Sequence, residues 1–178
     1  MSELNIKKHL FNTSFLEMDI PLQFNNYGTI PLEKYPDNAT SYFINRNIIE
    51  EQSLQNYKNE LIKYINIAGE VLNFYFDRFT RSWFQKYEKI NYHPLHTHGS
   101  EEGLFCCIHY IQTSDKSANT NFYTPGWPYV CNEESKISIK PKNNKLIVFP
   151  SYLPHEVEIN KDKTRLIFSA NFMTRNNK

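Results

Sequence analysis

Residues 83–110, WFQKYEKINYHPLHTHGSEEGLFCCIHY, decide how the rest of the chain is read, and His96-Thr97-His98 is their centre. Side chains at i and i+2 of an extended strand project to the same face. Two neutral imidazoles held that way can share one iron, zinc, copper or nickel ion. Two ligands alone hold such an ion loosely, so a third must come from elsewhere. His155, in FPSYLPHEVEI, is the candidate; it stands 57 residues beyond His98, which leaves room for several strands. Arg165 follows ten residues later. Without that distant His and Arg, the His-x-His pair would carry little weight.

Downstream the pattern is of strands. Residues 104–111, LFCCIHYI, form a continuous apolar run, as expected of a strand buried on both faces. NFY at 121–123 precedes a turn at Pro125-Gly126, KISIK at 136–140 alternates, and LIVF at 146–149 reads as another buried strand. HEVEI at 155–159 alternates again, NKDK turns, and 165–172 closes the series. Five or six short strands with brief turns indicate a barrel or sandwich.

Strand parity decides which side chains can meet. Arg165, Ile167, Ser169 and Asn171 share one face of the last strand, and His155, Val157 and Ile159 share one face of its predecessor. If a hairpin joins these strands with inward faces matched, Arg165 lies deeper in the cavity that holds His155. A buried guanidinium is costly unless it meets an anion. No obligatory carboxylate partner is evident, so a bound carboxylate suits its planar fork.

Upstream the period changes. Between residues 48 and 79, Leu54, Tyr57, Leu61, Tyr64 and Ile65 recur at helical spacing and predict an amphipathic helix facing a core. The apolar cluster Val71-Leu72-Phe74-Tyr75-Phe76 extends it or forms a second helix. Residues 1–47 are broken by Pro21, Gly28, Pro31 and Pro36, though the alternation over 15–20 allows a strand. The expected organisation is one domain over 1–178, with 1–82 an N-terminal extension and supporting helices and 83–173 the core.

Composition narrows the class. Twenty basic and nineteen acidic residues leave a net charge of +1, so neither nucleic acid nor an anionic membrane is an electrostatic partner. Thirteen Phe and twelve Tyr suit half-buried sheet surfaces. Three cysteines, Cys106, Cys107 and Cys131, make no disulfide framework, and no apolar run is long enough to span a membrane. The expectation is a soluble, cytoplasmic protein.

With these motifs in place, the chain resembles the 2-oxoglutarate- and Fe(II)-dependent oxygenases, in the bacterial and phage branch related to prolyl hydroxylases. The likeness runs through Trp83, Tyr87, HTH at 96–98, His109-Tyr110, Pro125, FPSYLPHEV at 149–157 and RLIFSAN at 165–171. It implies a β-rich α+β fold, a double-stranded β-helix or cupin-like jelly roll with N-terminal helices packed on it. It also implies His96, His98 and His155 around Fe(II), and Arg165 on the distal carboxylate of 2-oxoglutarate, with Tyr110, Ser169 and Tyr87 adding hydroxyls. The implied reaction consumes O2 and 2-oxoglutarate, releases succinate and CO2, and hydroxylates a small-molecule or peptidyl substrate. Two positions depart from the pattern. His98 stands where an acid is usual, so Glu101 or Glu102 could bend in instead, and His109 replaces an aromatic and is read as packing.

Two other readings compete. HTHGSEE also fits the cupin pattern His-x-His-x3-Glu, with Glu102 as a fourth ligand and no 2-oxo acid. A catalytically dead barrel serving as a binding or phage-structural module is the other. Arg165 and RLIFSAN favour the oxygenase. His93 is read as a loop or substrate-mouth residue, Trp127 as a loop aromatic, and His9 as a surface histidine.

Overall fold

The structure, a computed structural model, describes residues 5–10, 13–24, 29–99, 103–124, 136–161 and 164–175. Two antiparallel sheets face one another. The larger contains β1 (Asn5–Leu10), β2 (Ser14–Asp19), β3 (Glu33–Lys34), β4 (Ala39–Thr40), β5 (Tyr75–Tyr87), β7 (Phe105–Gln112), β10 (Lys145–Pro150) and β12 (Arg165–Arg175). Its spatial order is β1-β2-β10-β7-β12-β5-β4-β3. The smaller, in the order β6-β11-β8-β9, is built from β6 (His93–His96), β8 (Thr120–Tyr123), β9 (Lys136–Ile139) and β11 (His155–Val157). This is the expected jelly roll, although the sheets do not close into a barrel.

The apolar runs explain why the larger sheet sits between two cores. On β7, Cys106, Ile108 and Tyr110 face the smaller sheet and pack with Phe122, Phe149, Leu153, Val157 and Ile167. Cys107 and Ile111 point the other way, into a core with Val148, Phe168, Ala170 and Phe172. A strand with both faces buried has no polar alternation to show, which is how residues 104–111 read.

Among the described residues a single α-helix, α1 (Gln55–Leu72), covers the outer face through Tyr57, Leu61, Ile65 and Ala68. Of the cluster at 71–76, Val71 and Leu72 extend this helix and no second helix follows. Asn73 adopts a left-handed conformation (φ 61°), Phe74 N–H bonds back to Gly69 C=O at 2.9 Å, and the chain turns into β5. That ending needs glycine, because a Cβ on residue 69 would sit 2.4 Å from the Phe74 carbonyl oxygen. The cluster at 71–76 thus belongs to a helix end and a strand start. Two 3-10 turns, Ile48–Glu50 and Gln52–Leu54, lead into α1. Among the described residues no helix is long and apolar enough to cross a membrane.

The strands after residue 154 pair differently from the hairpin considered above. β11 pairs with β6 and β8 in the smaller sheet, whereas β12 pairs with β5 and β7 in the larger. His155 and Arg165 therefore approach the cavity from opposite walls. Their inward parity survives because each wall turns its own apolar face to the same interior.

Candidate metal centre

His96 ends β6 and lies opposite His155 of β11 in register. His98 is beyond the strand, its N–H bonded to Ser151 C=O at 2.9 Å, so the convergence of the pair is completed by a loop rather than by strand geometry. One ligand atom from each of His96, His98 and His155 lies within 4.8 Å of the others. His93 stacks on His96 with centroids 4.2 Å apart but is not among those three.

The rings are set up as neutral donors. His155 Nδ1 is 2.9 Å from Leu153 C=O and His96 Nδ1 is 2.8 Å from Pro94 C=O. A carbonyl can only accept, so each Nδ1 carries the proton and each Nε2 keeps its lone pair. Asn171 places its amide 3.4 Å from His98 Nδ1 and accepts from Cys106 Sγ–H at 3.2 Å. Burial is the main force on all of them. It holds His155 well below the usual imidazole range, aided by His96 and His98, and lowers His96 against the opposing Pro94 hydrogen bond. Burial, with His96 and Arg81, pulls His98 down to about 4. Burial, with His96, His98 and Arg165, takes His93 to about 3. Uncharged imidazoles are what a first-row metal ion requires.

Arg165 lies behind this cluster and is fully buried. Its Nη2 donates to Thr120 Oγ1 at 2.7 Å, and the guanidinium lies 4.7 Å from the Tyr87 ring centroid and 5.2 Å from that of Tyr110. Nε and Nη1 have no hydrogen-bond partner among the described residues. Burying such a charge costs several kcal/mol, and cation–π contacts return about 1–2 kcal/mol each. The remainder, and the fork made by the unpaired Nη1 with the second N–H of Nη2, fit a carboxylate. Tyr110 OH is 2.6 Å from Thr120 Oγ1, and Tyr87 OH is 3.3 Å from His93 Nδ1. Burial raises the pKa of both phenols against the opposing pull of Arg165, so they are neutral hydroxyls. Ser169 is also buried, on the same face of β12 as Arg165, but its hydroxyl donates to Cys107 C=O at 3.3 Å.

A model described as "Putative 2OG-Fe(II) oxygenase" matches residues 81–171, half of the chain. The chain belongs to the 2OG-Fe(II) oxygenase family. Among curated proteins none matches it by sequence. Several solved structures share its fold. HygX from Streptomyces hygroscopicus, with nickel, 2-oxoglutarate and hygromycin B bound, is 10% identical with a TM-score of 0.61, over 89% of this chain and 82% of HygX. A 2OG-Fe(II) oxygenase family oxidoreductase from Burkholderia pseudomallei is 11% identical (TM-score 0.56; 80% of this chain, 71% of that one). A Pseudomonas putida prolyl-4-hydroxylase is 15% identical (TM-score 0.53; 69% and 63%).

The oxygenase brings together its three candidate ligand histidines, with Arg165, Tyr110 and Tyr87 grouped behind them. His109 faces away, on the outer side of β7, where Tyr57 OH is 2.7 Å from its Nδ1. Cys106 and Cys107 point to opposite faces as buried thiols, neither in a disulfide among the described residues. Glu101, Glu102, Trp127, Cys131, the turn at Pro125 and the side chain of His9 lie outside the described residues. Thr120 and Gln85 were missed by reading the sequence. Thr120 could have been found by extending the parity of Phe122 one step back. Gln85, which links Trp83 Nε1 (3.2 Å) to His93 Nδ1 (3.0 Å), had no signal in the sequence.

Proposed function

We propose that this protein is a 2-oxoglutarate- and Fe(II)-dependent dioxygenase that hydroxylates its substrate. In this reading His96, His98 and His155 hold the metal through neutral nitrogens. Arg165 receives the distal carboxylate of 2-oxoglutarate, and Tyr110 and Tyr87 flank it with hydroxyls. Ser169 lines the same strand face with its own hydroxyl engaged. The iron and its cosubstrate together supply the oxidation: 2-oxoglutarate and O2 become succinate and CO2, and one oxygen atom enters a substrate C–H bond.

What the chain itself contributes is placement. His96 and His155 keep their protons on Nδ1 and donate them to the Pro94 and Leu153 carbonyls, which fixes both rings and leaves each Nε2 lone pair for the metal. His98, where an acid is usual in the family, makes the ligand set neutral, so more positive charge stays at the metal. The Arg165 fork orients the cosubstrate from the far end of the cavity. The apolar side chains between the sheets exclude water around it. Reducing cytoplasmic conditions would suit both ferrous iron and the thiols of Cys106 and Cys107.

The observation that supports this most strongly is the fully buried Arg165, with two donors left over beside a histidine cluster. The test is succinate formation. Protein reconstituted with Fe(II), then given 2-oxoglutarate and O2, should release succinate slowly even without substrate, and His155→Ala should not. Succinate no faster than in His155→Ala would count against the reading.

A further inference from the structure

The pocket that opens beside the histidines has a chemistry of its own. It measures about 410 Å³ and runs from His96 and His98 to an aromatic wall and a carboxylate. The wall is a chain of rings. Tyr35 and Phe43 have centroids 5.1 Å apart, Phe43 and Tyr42 5.0 Å, and Tyr42 and Trp83 5.2 Å. Phe43 is 59% exposed, a large ring left at the pocket rather than in a core. The segment is pinned to β5: Ser41 N–H donates to Phe84 C=O and Phe84 N–H to Ser41 Oγ, both at 3.0 Å. A wall fastened in this way is a built surface rather than a loose loop.

Among the described residues, Asp37 is the one charged side chain lining the pocket. Its backbone carbonyl accepts from Tyr92 N–H at 3.1 Å, but among the described residues its carboxylate makes no hydrogen bond or ion pair. Glu33 strengthens the negative character of the wall, since Tyr35 OH donates to its Oε2 at 2.9 Å and the ring becomes more electron-rich. Arg81 is the nearby cation. It is already committed to Tyr42, over whose ring it lies at 5.6 Å and to whose hydroxyl it donates.

Resting on the oxygenase reading of the triad, we propose that the substrate carries an alkylammonium group, which this aromatic wall and Asp37 hold while its carbon arm points at the metal. Tyr and Trp faces attract a cation through their ring quadrupoles, and a free carboxylate completes the match. An anionic group would be repelled by Asp37, and a neutral one would leave that carboxylate unused. The orientation follows from charge as well. The metal and Arg165 are positive, so the ammonium is pushed to the Asp37 end and the C–H bonds of the arm face the reacting centre.

The test uses the full chain and the Trp83 indole N–H resonance, assigned with Trp83→Phe. Pentylammonium should bind about tenfold or more tightly than 1-pentanol, its neutral counterpart. Asp37→Asn should erase that preference and Asp37→Glu should keep most of it. Equal binding of the two probes, or a preference that survives Asp37→Asn, overturns the proposal. An acetylated lysyl tripeptide binding more tightly than pentylammonium would identify a peptidyl source, and weaker binding a small amine. 2-Oxoglutarate is titrated separately into manganese-loaded protein. Binding there without an ammonium preference removes only the substrate class, and an ammonium preference without 2-oxoglutarate binding removes only the oxygenase reading.

Discussion

Arg165 of β12 and Thr120 of β8 meet across the sandwich at 2.7 Å, while Nε and Nη1 of the guanidinium have no hydrogen-bond partner among the described residues. The bond ties the two sheets together at the inner end of the cavity, but it leaves most of a buried charge uncompensated.

A site kept under such tension should cost stability until its ligand arrives. Arg165→Met fills a similar volume without the charge, and removing buried ions in this way is often neutral or stabilising by about 1–4 kcal/mol. Ligand-free Arg165→Met should therefore unfold at a higher urea concentration than wild type. Adding 2-oxoglutarate to the manganese-loaded proteins at about 100 times the wild-type Kd should stabilise wild type by about 2.7 kcal/mol and the variant by about 0.9 kcal/mol or less. A variant less stable than wild type would mean that the tyrosine contacts already balance the charge.

The metal centre is tested ligand by ligand. His155→Ala should abolish stoichiometric binding of a divalent iron-class ion. His98→Asp should retain iron and bring the site to the charge common in the family, whereas His98→Ala should weaken it. Unchanged affinity in His98→Ala would point to a different third ligand.

Asn171 touches His98 and does not itself line the pocket, so a positioning role is expected. Outer partners of metal-binding histidines typically contribute about 10–100-fold in affinity. Asn171→Ala should weaken metal binding by about tenfold or more, with 2-oxoglutarate affinity at saturating metal little changed. A loss of 2-oxoglutarate affinity without loss of metal would assign Asn171 to the cosubstrate instead.

His109 sets a pH dependence of folding. Burial pulls its pKa from 6.5 to about 4, against a weak opposing interaction with the Leu22 backbone, while Nδ1 meets Tyr57. The unfolded chain takes up the proton first as pH falls. The stability His109 contributes is thus full above about 6.5, and is lost progressively down to about 4. At about pH 5 the loss should be about 2 kcal/mol. His109→Gln keeps a partner for Tyr57 and should flatten that part of the curve in urea unfolding of the metal-free protein. The other buried histidines tilt both curves alike, so the difference is the readout, and parallel curves would show that His109 takes up its proton as readily in the fold as in the unfolded chain.

The sequence was most informative where one local rule governs. Residues 104–111 and 146–149 are unbroken apolar runs because both sheet faces are covered, and α1 shows its Tyr57–Leu61–Ile65 stripe because only one side is buried. The histidine pair, His155 and Arg165 stood out because such groups seldom gather without a ligand. What long-range pairing decides was not legible. Alternation shows that β11 and β12 each have an inward face, not that they belong to opposite sheets. The wall formed by Tyr35, Tyr42 and Phe43 has no period, and only its hydrogen bonds to β5 assemble it beside Trp83. The helix-to-strand switch at Asn73 hides in an apolar cluster that suits either element.

The most direct measurement is calorimetric titration of 2-oxoglutarate into the anaerobic, manganese-loaded protein, wild type against Arg165→Ala. Removing one partner of a buried charge pair costs about 2–5 kcal/mol, so Arg165→Ala should bind 2-oxoglutarate about 30-fold or more weakly with manganese affinity nearly intact. Arg165→Lys should fall between, because it keeps the charge and loses the fork. Wild type that shows no binding at about millimolar ligand, or Arg165→Ala that binds as tightly as wild type, would contradict the assignment of Arg165 to the cosubstrate.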